Sequence, residues 1–308
     1  MTIDALIALV RQAFIDDGAS RYSWSDETLV SHANEAQSSA CRRAGILTDT
    51  LQASDADSLP LCSLSVITGT ATYRISSKVL RVLKEGTYLS SVGLNLDHKT
   101  EDWLNEFYEY WRTATGTPTI FTYTKGLITL VPKPVANDTL NLEVVRLPLV
   151  DMKLGGCELV GAMDISFNAT NKTITTVGGN FLTQGFLPYK ATIPITGTVS
   201  NNIAVTPVTI TAKVMTVSET LVTEANTSAV IRANSYPEIP EEYHYALIDG
   251  ICSLAYQMQD SETLDVNKAK IHEAKFTNKF GPEPSARVEI ARRKYPANGG
   301  YNPKTFGG

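Results

Sequence analysis

The stretch from Tyr236 to Gly281 constrains the fold of this chain more than any other. Pro240 followed by Glu241 and Glu242 is typical of a helix start, because proline loses no hydrogen bond there and carboxylates favour the positive end of the helix dipole. The apolar residues that follow recur at steps of three and four and predict one buried face: Leu247, Ile251, Leu254, Ala255 and Met258. A second amphipathic helix follows the polar break at 260–263. Both helices need apolar surface from elsewhere in the chain.

The amino-terminal region is predicted to supply that surface. A short helix over 4–15 presents Leu6, Leu9, Val10, Ala13 and Phe14. A longer helix is expected from the cap Ser25 to the stop at Gly45, with small residues along one face that allow close helix packing: Leu29, Ala33, Ala36, Ala40 and Ala44. We therefore predict a helical bundle from both chain ends, in which residues 25–44 pack against 241–258. Its central contacts are expected at Leu29, Ala33, Ala40, Leu247, Ile251 and Leu254.

The middle of the chain, from 61 to 149, is predicted to be an antiparallel β region. Residues 73–82 and 119–131 are rich in β-branched and aromatic residues, which is typical of strands. Lys125-Gly126 fits a hairpin turn, and Asn137-Asp138 fits the next one. A short helix is expected around 102–110, where it interrupts the strands.

The segment 155–233 differs in composition and predicts a small all-β barrel or sandwich. It is poor in charge and rich in Thr, Asn, Val and Ile, and the turn 168–171 separates two short apolar runs. Residues 208–214 alternate apolar and polar side chains, which predicts one half-buried strand. Because domain insertion is tolerated where the two ends lie close together, we predict that this segment is an inserted domain.

The last residues, 283–308, are predicted to be an extended tail that orders on binding, with a short helix at 286–294 at most. Its cations and aromatic residues are interleaved: Arg287, Arg292, Arg293, Lys294, Tyr295, Tyr301 and Phe306. Such a segment could anchor on a protein partner or contact DNA phosphates, and a solubilising tail is the remaining alternative.

The predicted fold class is α+β, with four segments. Residues 1–154 form the first part of a discontinuous core, 155–233 the inserted all-β domain, 234–282 the helical pair that completes the core, and 283–308 the tail.

Composition excludes several classes of function. The formal net charge is −5, which is not the footprint of a whole-chain DNA-binding protein. The amino terminus lacks a basic leader, so we expect synthesis in the cytosol and no membrane segment. The four cysteines are scattered without a C-x-x-C pair and are expected to be reduced, partly buried thiols.

No catalytic or metal-binding pattern stands out. His244 and His272 lack metal-ligand spacing, and Glu241, Glu242 and Asp249 are better explained as acids on helix turns than as an acid–base pair. We therefore expect no enzyme activity, no cofactor and no metal.

Several stretches resemble the head–tail adaptor proteins of short-tailed bacteriophages. They lie at 24–29, 34–44, 77–82 and 237–263, on both sides of the β segment. The resemblance implies a structural virion protein at the head–tail junction: a ring of twelve copies that attaches to the portal after DNA packaging. Such a ring extends the DNA channel and presents a docking surface for tail or nozzle proteins, while the DNA passes without sequence-specific binding. The basic aromatic tail would then contact the portal.

Two alternatives stay open at this point. One is a connector component with cell-wall hydrolase activity. The other is a receptor- or carbohydrate-binding virion module carried by the β segment 155–233.

Overall fold

The computed structural model describes residues 1–15, 23–52, 54–124, 126–188, 192–258 and 264–294. The described chain is a mixed α+β protein, as predicted, and it divides into two compact units. The helical–barrel unit comprises Met1–Leu47, Leu51–Leu59 and Leu147–Glu283. The central β unit comprises Thr48–Thr50, Pro60–Arg146 and the chain from Pro284 onward.

The helices occur mainly toward the two ends of the sequence. In chain order they are α1 (Ile3–Leu9), a π-helix (Val10–Ile15), α2 (Asp26–Ala44), α3 (Glu101–Phe107), α4 (Phe181–Gln184), a 3₁₀ helix (Glu241–Tyr243), α5 (Leu247–Tyr256), α6 (Val266–Phe280) and α7 (Ala286–Lys294). None of the helices within the described residues is both long enough and apolar enough to cross a membrane.

Helix α2 begins and ends where the sequence predicts. The Ser25 hydroxyl accepts a hydrogen bond from the Thr28 amide at 3.1 Å, which satisfies one of the free amides at the helix start. Gly45 ends the helix in the left-handed region, with φ of 62°. An L-residue with a side chain rarely adopts that conformation, so glycine makes a favourable stop.

The first helix differs from its prediction. Residues 10–15 form a π-helix rather than a continuation of α1. Its wider turn changes which side chains face inward, so Arg11 and Ile15 are buried whereas Ala13 is exposed. The predicted face of Leu6, Leu9, Val10, Ala13 and Phe14 is therefore only partly correct. Gly18, which follows this helix in the sequence, lies outside the described residues.

The predicted helix start at Pro240 is also corrected. A 3₁₀ turn follows Pro240, and the α-helix begins only at Leu247. Successive amides bond three residues back, as in His244 to Glu241 at 3.1 Å and Leu247 to His244 at 3.2 Å. The His244 ring, bonded to the Ile239 carbonyl at 2.9 Å, holds this tighter turn in place.

Helices from both ends of the chain contribute to one buried core. Its central residues from α2 and α5 are Leu29, Ala33, Ala36, Ala40, Leu247, Ile248, Ile251, Cys252 and Ala255, joined by Ala269, Phe276 and Phe280 of α6. Leu254, predicted as a central contact, is only half-buried because it lies at the margin of the buried face of α5. Trp24 donates from Nε1 to the Ala255 carbonyl at 3.1 Å and so joins the start of α2 to the end of α5.

The central β unit contains short ladders rather than one sheet. Its strands are β1 (Thr48–Asp49), β2 (Ser63–Val66), β3 (Thr72–Arg74), β4 (Val79–Leu89), β5 (Asp97–His98), β6 (Thr115–Gly116), β7 (Ile120–Thr124), β8 (Leu127–Val131), β9 (Lys133–Pro134) and β10 (Asp138–Arg146). In one sheet β10 pairs with β1, β2 and β4, and another sheet has the order β3-β8-β7-β5.

The predicted hairpin is confirmed, since β7 and β8 pair across a two-residue turn that contains Gly126. Lys125 of that turn lies outside the described residues. The prediction of a purely antiparallel region is wrong, because β5 pairs with β7 in parallel and β6 pairs with β9 in parallel. Such pairings join distant segments and leave no local turn signal in the sequence.

The described residues of 157–233 form a half-barrel from one seven-stranded sheet, which we call the barrel. Its strands are β11 (Cys157–Asn168), β12 (Thr173–Thr176), β13 (Ile193–Thr196), β14 (Ala204–Val205), β15 (Pro207–Ile210), β16 (Val214–Val217) and β17 (Glu224–Ala233). They follow the order β14-β13-β17-β11-β12-β16-β15. The two end strands, β14 and β15, are neighbours in the sequence and are separated only by Thr206.

One strand prediction in the barrel is wrong. Residues 208–214 are not a single strand, because β15 ends at Ile210 and β16 begins at Val214. The Thr211 hydroxyl accepts a hydrogen bond from the Val214 amide at 3.0 Å, and this closes a tight turn. The predicted turn at 168–171 does separate β11 from β12.

A segment outside the barrel completes it. Gln52, only 1% exposed, accepts a hydrogen bond from the Ile210 amide at 3.2 Å, and Asn180 donates to the Ala56 carbonyl at 3.2 Å. Cys157 and Ala233, the first and last residues of the barrel strands, are paired in β11 and β17. The segment therefore begins and ends at adjacent points. Whether residues 155–233 fold as an inserted domain stays a prediction.

Candidate partner-binding surfaces

Arg43 fixes the carboxyl end of α2 to α6. Its side chain is only 5% exposed, and its guanidinium donates to Glu273 at 2.9 Å and to Thr277 at 3.1 Å. The same group lies 4.9 Å from the centre of the Phe276 ring. Charge-assisted hydrogen bonds from a planar guanidinium are directional, so this residue sets the position of α6 against α2. That position determines which face of α6 remains exposed.

The amino terminus is held against the 3₁₀ turn. The Met1 ammonium lies 3.0 Å from a Glu241 carboxylate oxygen and 3.1 Å from Nδ1 of His244. If Nε2 of His244 donates to the Ile239 carbonyl, Nδ1 is free to accept from the ammonium. These contacts use Glu241 and His244 to anchor the end of the chain.

The carboxylates considered as acid–base candidates are engaged in separate contacts. Asp249 lies 2.7 Å from Nδ1 of His272, and Glu241 pairs with the amino terminus. Glu242 accepts a hydrogen bond from Tyr243, which raises the pKa of that phenol. Across the part of the chain that the structure describes, no group of three or more His, Cys, Asp or Glu side chains could hold a metal ion.

All four cysteines are thiols outside any disulfide, as the sequence predicts, but they are fully rather than partly buried. Burial, with a smaller contribution from Asp249, raises the pKa of Cys252 to about 12. Burial also raises the pKa of Cys157. Because the thiolate is the reactive form, these two thiols are poor nucleophiles at neutral pH.

A shallow groove of about 560 Å³ runs beside α2. Asn34 forms its floor, since its amide side chain accepts from the Met152 amide at 2.8 Å and donates to the Met152 carbonyl at 3.3 Å. The walls are Glu27, Val30, Ser31, Glu35, Ser38, Asp151, Lys153 and Leu154. The groove is wide open, and its walls mix acidic, polar and apolar groups.

The predicted basic tail is described only in its first part. Arg287 lies exposed on α7, and α7 packs against β4 and β7 of its own unit. Arg292, Arg293 and Lys294 belong to the same helix. The aromatic candidates Tyr295, Tyr301 and Phe306 lie outside the described residues. The tail therefore leaves the central β unit from a helix rather than from an extended segment.

Sequence reasoning missed an exposed aromatic surface on and after α3. Phe107 is 62% exposed and Tyr110 is 74% exposed, and Trp103 lies beside Phe107 with ring centroids 5.3 Å apart. Four exposed carboxylates accompany them: Glu101, Asp102, Glu106 and Glu109. We call these seven residues the acidic aromatic face. Five aromatic residues within 103–111 were the available signal.

The chain holds this face in a defined shape. Tyr110 has a φ of 60°, which is unusual for a bulky residue. Its carbonyl accepts hydrogen bonds from the Thr113 and Ala114 amides at 2.9 and 3.0 Å, and Asn105 accepts from Nε1 of Trp111 at 3.0 Å. Leu104 and Trp111 pack beneath in a small buried cluster. The turn therefore presents the Tyr110 ring to solvent from a well-fixed backbone.

The outward face of α6 has the opposite character. Asn267, Ile271, Ala274 and Asn278 recur at helical spacing opposite the buried stripe, and Ile271 is 55% exposed. Lys270 and Lys275 flank Ile271 on either side of this stripe. We call these six residues the basic aliphatic face. The one acid of α6, Glu273, is turned toward Arg43.

Comparison with protein families decides the classification. A family model described as SU10 adaptor protein matches residues 1–156, which is half of the chain. The chain belongs to the SU10 adaptor protein family. No curated protein matches the chain.

The SU10 adaptor match ends next to a structural boundary. It covers α1 to α3 and the strands up to β10, and its last residue precedes β11 of the barrel. The acidic aromatic face lies inside the match, whereas the barrel, α5 and α6 lie outside it. Membership indicates a bacteriophage structural adaptor, associated with other head or tail components of the virion. It is also consistent with a protein that is not an enzyme.

Proposed function

We propose that this SU10 adaptor forms a ring of twelve copies between the portal and the tail of a short-tailed phage. The ring attaches to the portal after DNA packaging, continues the DNA channel and provides the docking surface for tail or nozzle proteins. The family match over residues 1–156 is the observation that carries this proposal. The resemblance of 237–263 to head–tail adaptors supports it from outside the matched region.

We assign the portal contact to the tail that follows α7. Arg287, Arg292, Arg293 and Lys294 would pair with acidic portal residues, and Tyr295, Tyr301 and Phe306 would serve as apolar anchors. Because α7 packs on its own unit, it gives the tail a firm starting point. A segment that orders on binding can reach across a subunit boundary of a preformed ring.

The test is removal of the tail without removal of its helix. Truncation after Lys294 leaves α7 in place, whereas truncation after Pro284 would also remove its packing against β4 and β7. A second variant changes Tyr301 and Phe306 to alanine in the full chain. Both are assayed for co-sedimentation with assembled portal, and in parallel for binding to duplex DNA over a range of salt concentrations.

We expect both variants to lose portal attachment, and the wild-type complex to weaken only gradually with salt. Binding through phosphates would instead show a log–log salt slope of about 0.9 per neutralised phosphate. Portal attachment that survives truncation contradicts the tail assignment. A full-length chain that never co-sediments with portal contradicts the adaptor function itself.

A further inference from the structure

We propose that the acidic aromatic face of one copy binds the basic aliphatic face of a second copy. Each chain carries both halves of this contact, and both are exposed to solvent in the single chain. A contact between two different faces is heterologous, so it leaves one free face on each side of a pair and can continue into a ring. This inference rests on the proposed function in one respect: the contact would join neighbouring copies of the proposed ring.

Charge complementarity selects the partner. The acidic aromatic face has four exposed carboxylates, whereas the two nearby cations lie over tryptophan rings: Lys99 at 4.8 Å from the Trp103 ring and Arg112 at 4.2 Å from the ring of the buried Trp111. A basic surface with an apolar centre is its complement. Apolar centre and charged rim together are the usual anatomy of a protein interface.

The outward face of α6 meets that description. Lys270 and Lys275 make no ion pair with any described residue and flank the exposed Ile271. The other two lysines of α6 are already engaged, since Lys268 lies 5.0 Å from the Tyr256 ring and Lys279 lies 5.5 Å from the Tyr243 ring. Two cations therefore remain to meet the carboxylates of a neighbouring copy.

Phe107 and Tyr110 supply the apolar part of the contact. Among the described residues of the central β unit, they are the most exposed aromatic rings. Large aromatic side chains dominate interface energies when a partner covers them. The unusual backbone at Tyr110 holds its ring outward before any partner arrives, so little ordering is required on association. Ile271 and Ala274 offer an apolar surface of matching size on the other copy.

The test exchanges charges between copies. Variant one carries Glu106→Lys and Glu109→Lys, and variant two carries Lys270→Glu and Lys275→Glu. The purified chains are examined by sedimentation velocity up to about 1 mM, a concentration at which even an interaction of about 4 kcal/mol is populated. No portal is present, so the outcome is independent of the portal assay. The matched control for variant one, Asp57→Lys with Glu85→Lys, makes the same charge change as that variant elsewhere on the surface.

We expect concentration-dependent association of the wild-type chain and of the control. Each variant alone should associate at least about 100-fold more weakly, because like charges then face each other. A mixture of the two variants should regain association, since every contact between alternating copies is again complementary. High salt should weaken the wild-type contact.

The aromatic anchor is tested without disturbing the backbone. Tyr110→Asn removes the ring, but asparagine tolerates a positive φ better than most residues. Association should weaken by about 30-fold or more, the range of an interface hot spot. A wild-type chain that remains monomeric, single variants that associate like wild type, or a mixture that fails to recover would each overturn the proposal.

Discussion

Helix α5 approaches its neighbours closely because residue 250 is glycine. A Cβ atom built on Gly250 would lie 2.8 Å from Cβ of Ala36 and 2.9 Å from Cε2 of Phe276. Carbon atoms in good contact are about 3.5–4.0 Å apart. The change Gly250→Ala therefore inserts a methyl group where α2, α5 and α6 meet.

Two opposing effects determine the result of Gly250→Ala. In an exposed helix the change would stabilise by about 0.5–1 kcal/mol, because glycine loses more backbone entropy on folding. Overpacking a core costs about 1–3 kcal/mol. Cβ of Ala36 is attached to the α2 backbone and cannot rotate away, and the Phe276 ring is buried beneath Arg43. We expect a net loss of about 1–2 kcal/mol, or roughly 2–8 °C in Tm for a unit of this size.

Hydrogen exchange of the peptide 247–256 provides a local measurement alongside the thermal melt. Ala36→Gly removes one of the two clashing atoms. The double variant Gly250→Ala with Ala36→Gly should therefore be more stable than the sum of the two single effects predicts, by about 0.5 kcal/mol or more. Ala274→Gly, on the exposed side of α6, calibrates the helix propensity in the same protein. A Gly250→Ala protein as stable as wild type would refute the close-packing argument.

Three further outcomes are expected. Ile251→Ala should cost about 2–5 kcal/mol, because this side chain is fully buried, and an unchanged thermal melt would contradict its place in the core. Burial, with Lys99 nearby, lowers the pKa of His98 to about 4 from 6.5. The buried neutral imidazole therefore contributes fully to the free energy of unfolding above pH 6.5, and this contribution is lost as the pH falls toward 4, because the unfolded state binds the proton more readily. After allowance for partial exposure, wild type should lose about 1–2 kcal/mol more than His98→Leu between pH 7 and 4.5 in urea titrations, and equal losses would refute this. Deletion of 157–232 with a short Gly/Ser linker should leave a cooperatively folding helical core in which exchange around Gln52 rises, whereas an insoluble product would show that the barrel is integral.

Family membership and the buried helical core are both consistent with a structural protein. The residues that the sequence suggested for chemistry are used in structural contacts: Asp249 with His272, and Glu241 with the amino terminus. The two faces that we propose to bind between copies are instead exposed to solvent. One of them was missed at first because its aromatic residues could equally have belonged to a buried strand or helix.

Local chemistry determined the parts of the fold that involve few residues. The Ser25 cap and the Gly45 stop bound α2 because each acts on backbone groups within one helical turn. The hairpin of β7 and β8 follows from its two-residue turn and the strand-forming residues on each side. The spacing of three and four residues likewise identified Leu247, Ile251 and Ala255 as buried residues of α5, although Leu254 of the same predicted face is only half-buried.

Tertiary structure decided everything that depends on distant segments. The order of the seven barrel strands depends on pairings between distant segments, and Gln52 bonds to Ile210 from more than 150 positions away in the sequence. The parallel pairing of β5 with β7 and the π-helix at Val10–Ile15 are likewise invisible to local propensity. The exposure of Phe107 and Tyr110 also depends on the tertiary structure, because a side chain is buried only where another segment packs against it. Periodicity specifies which side chains share a face, but only packing determines whether that face is covered.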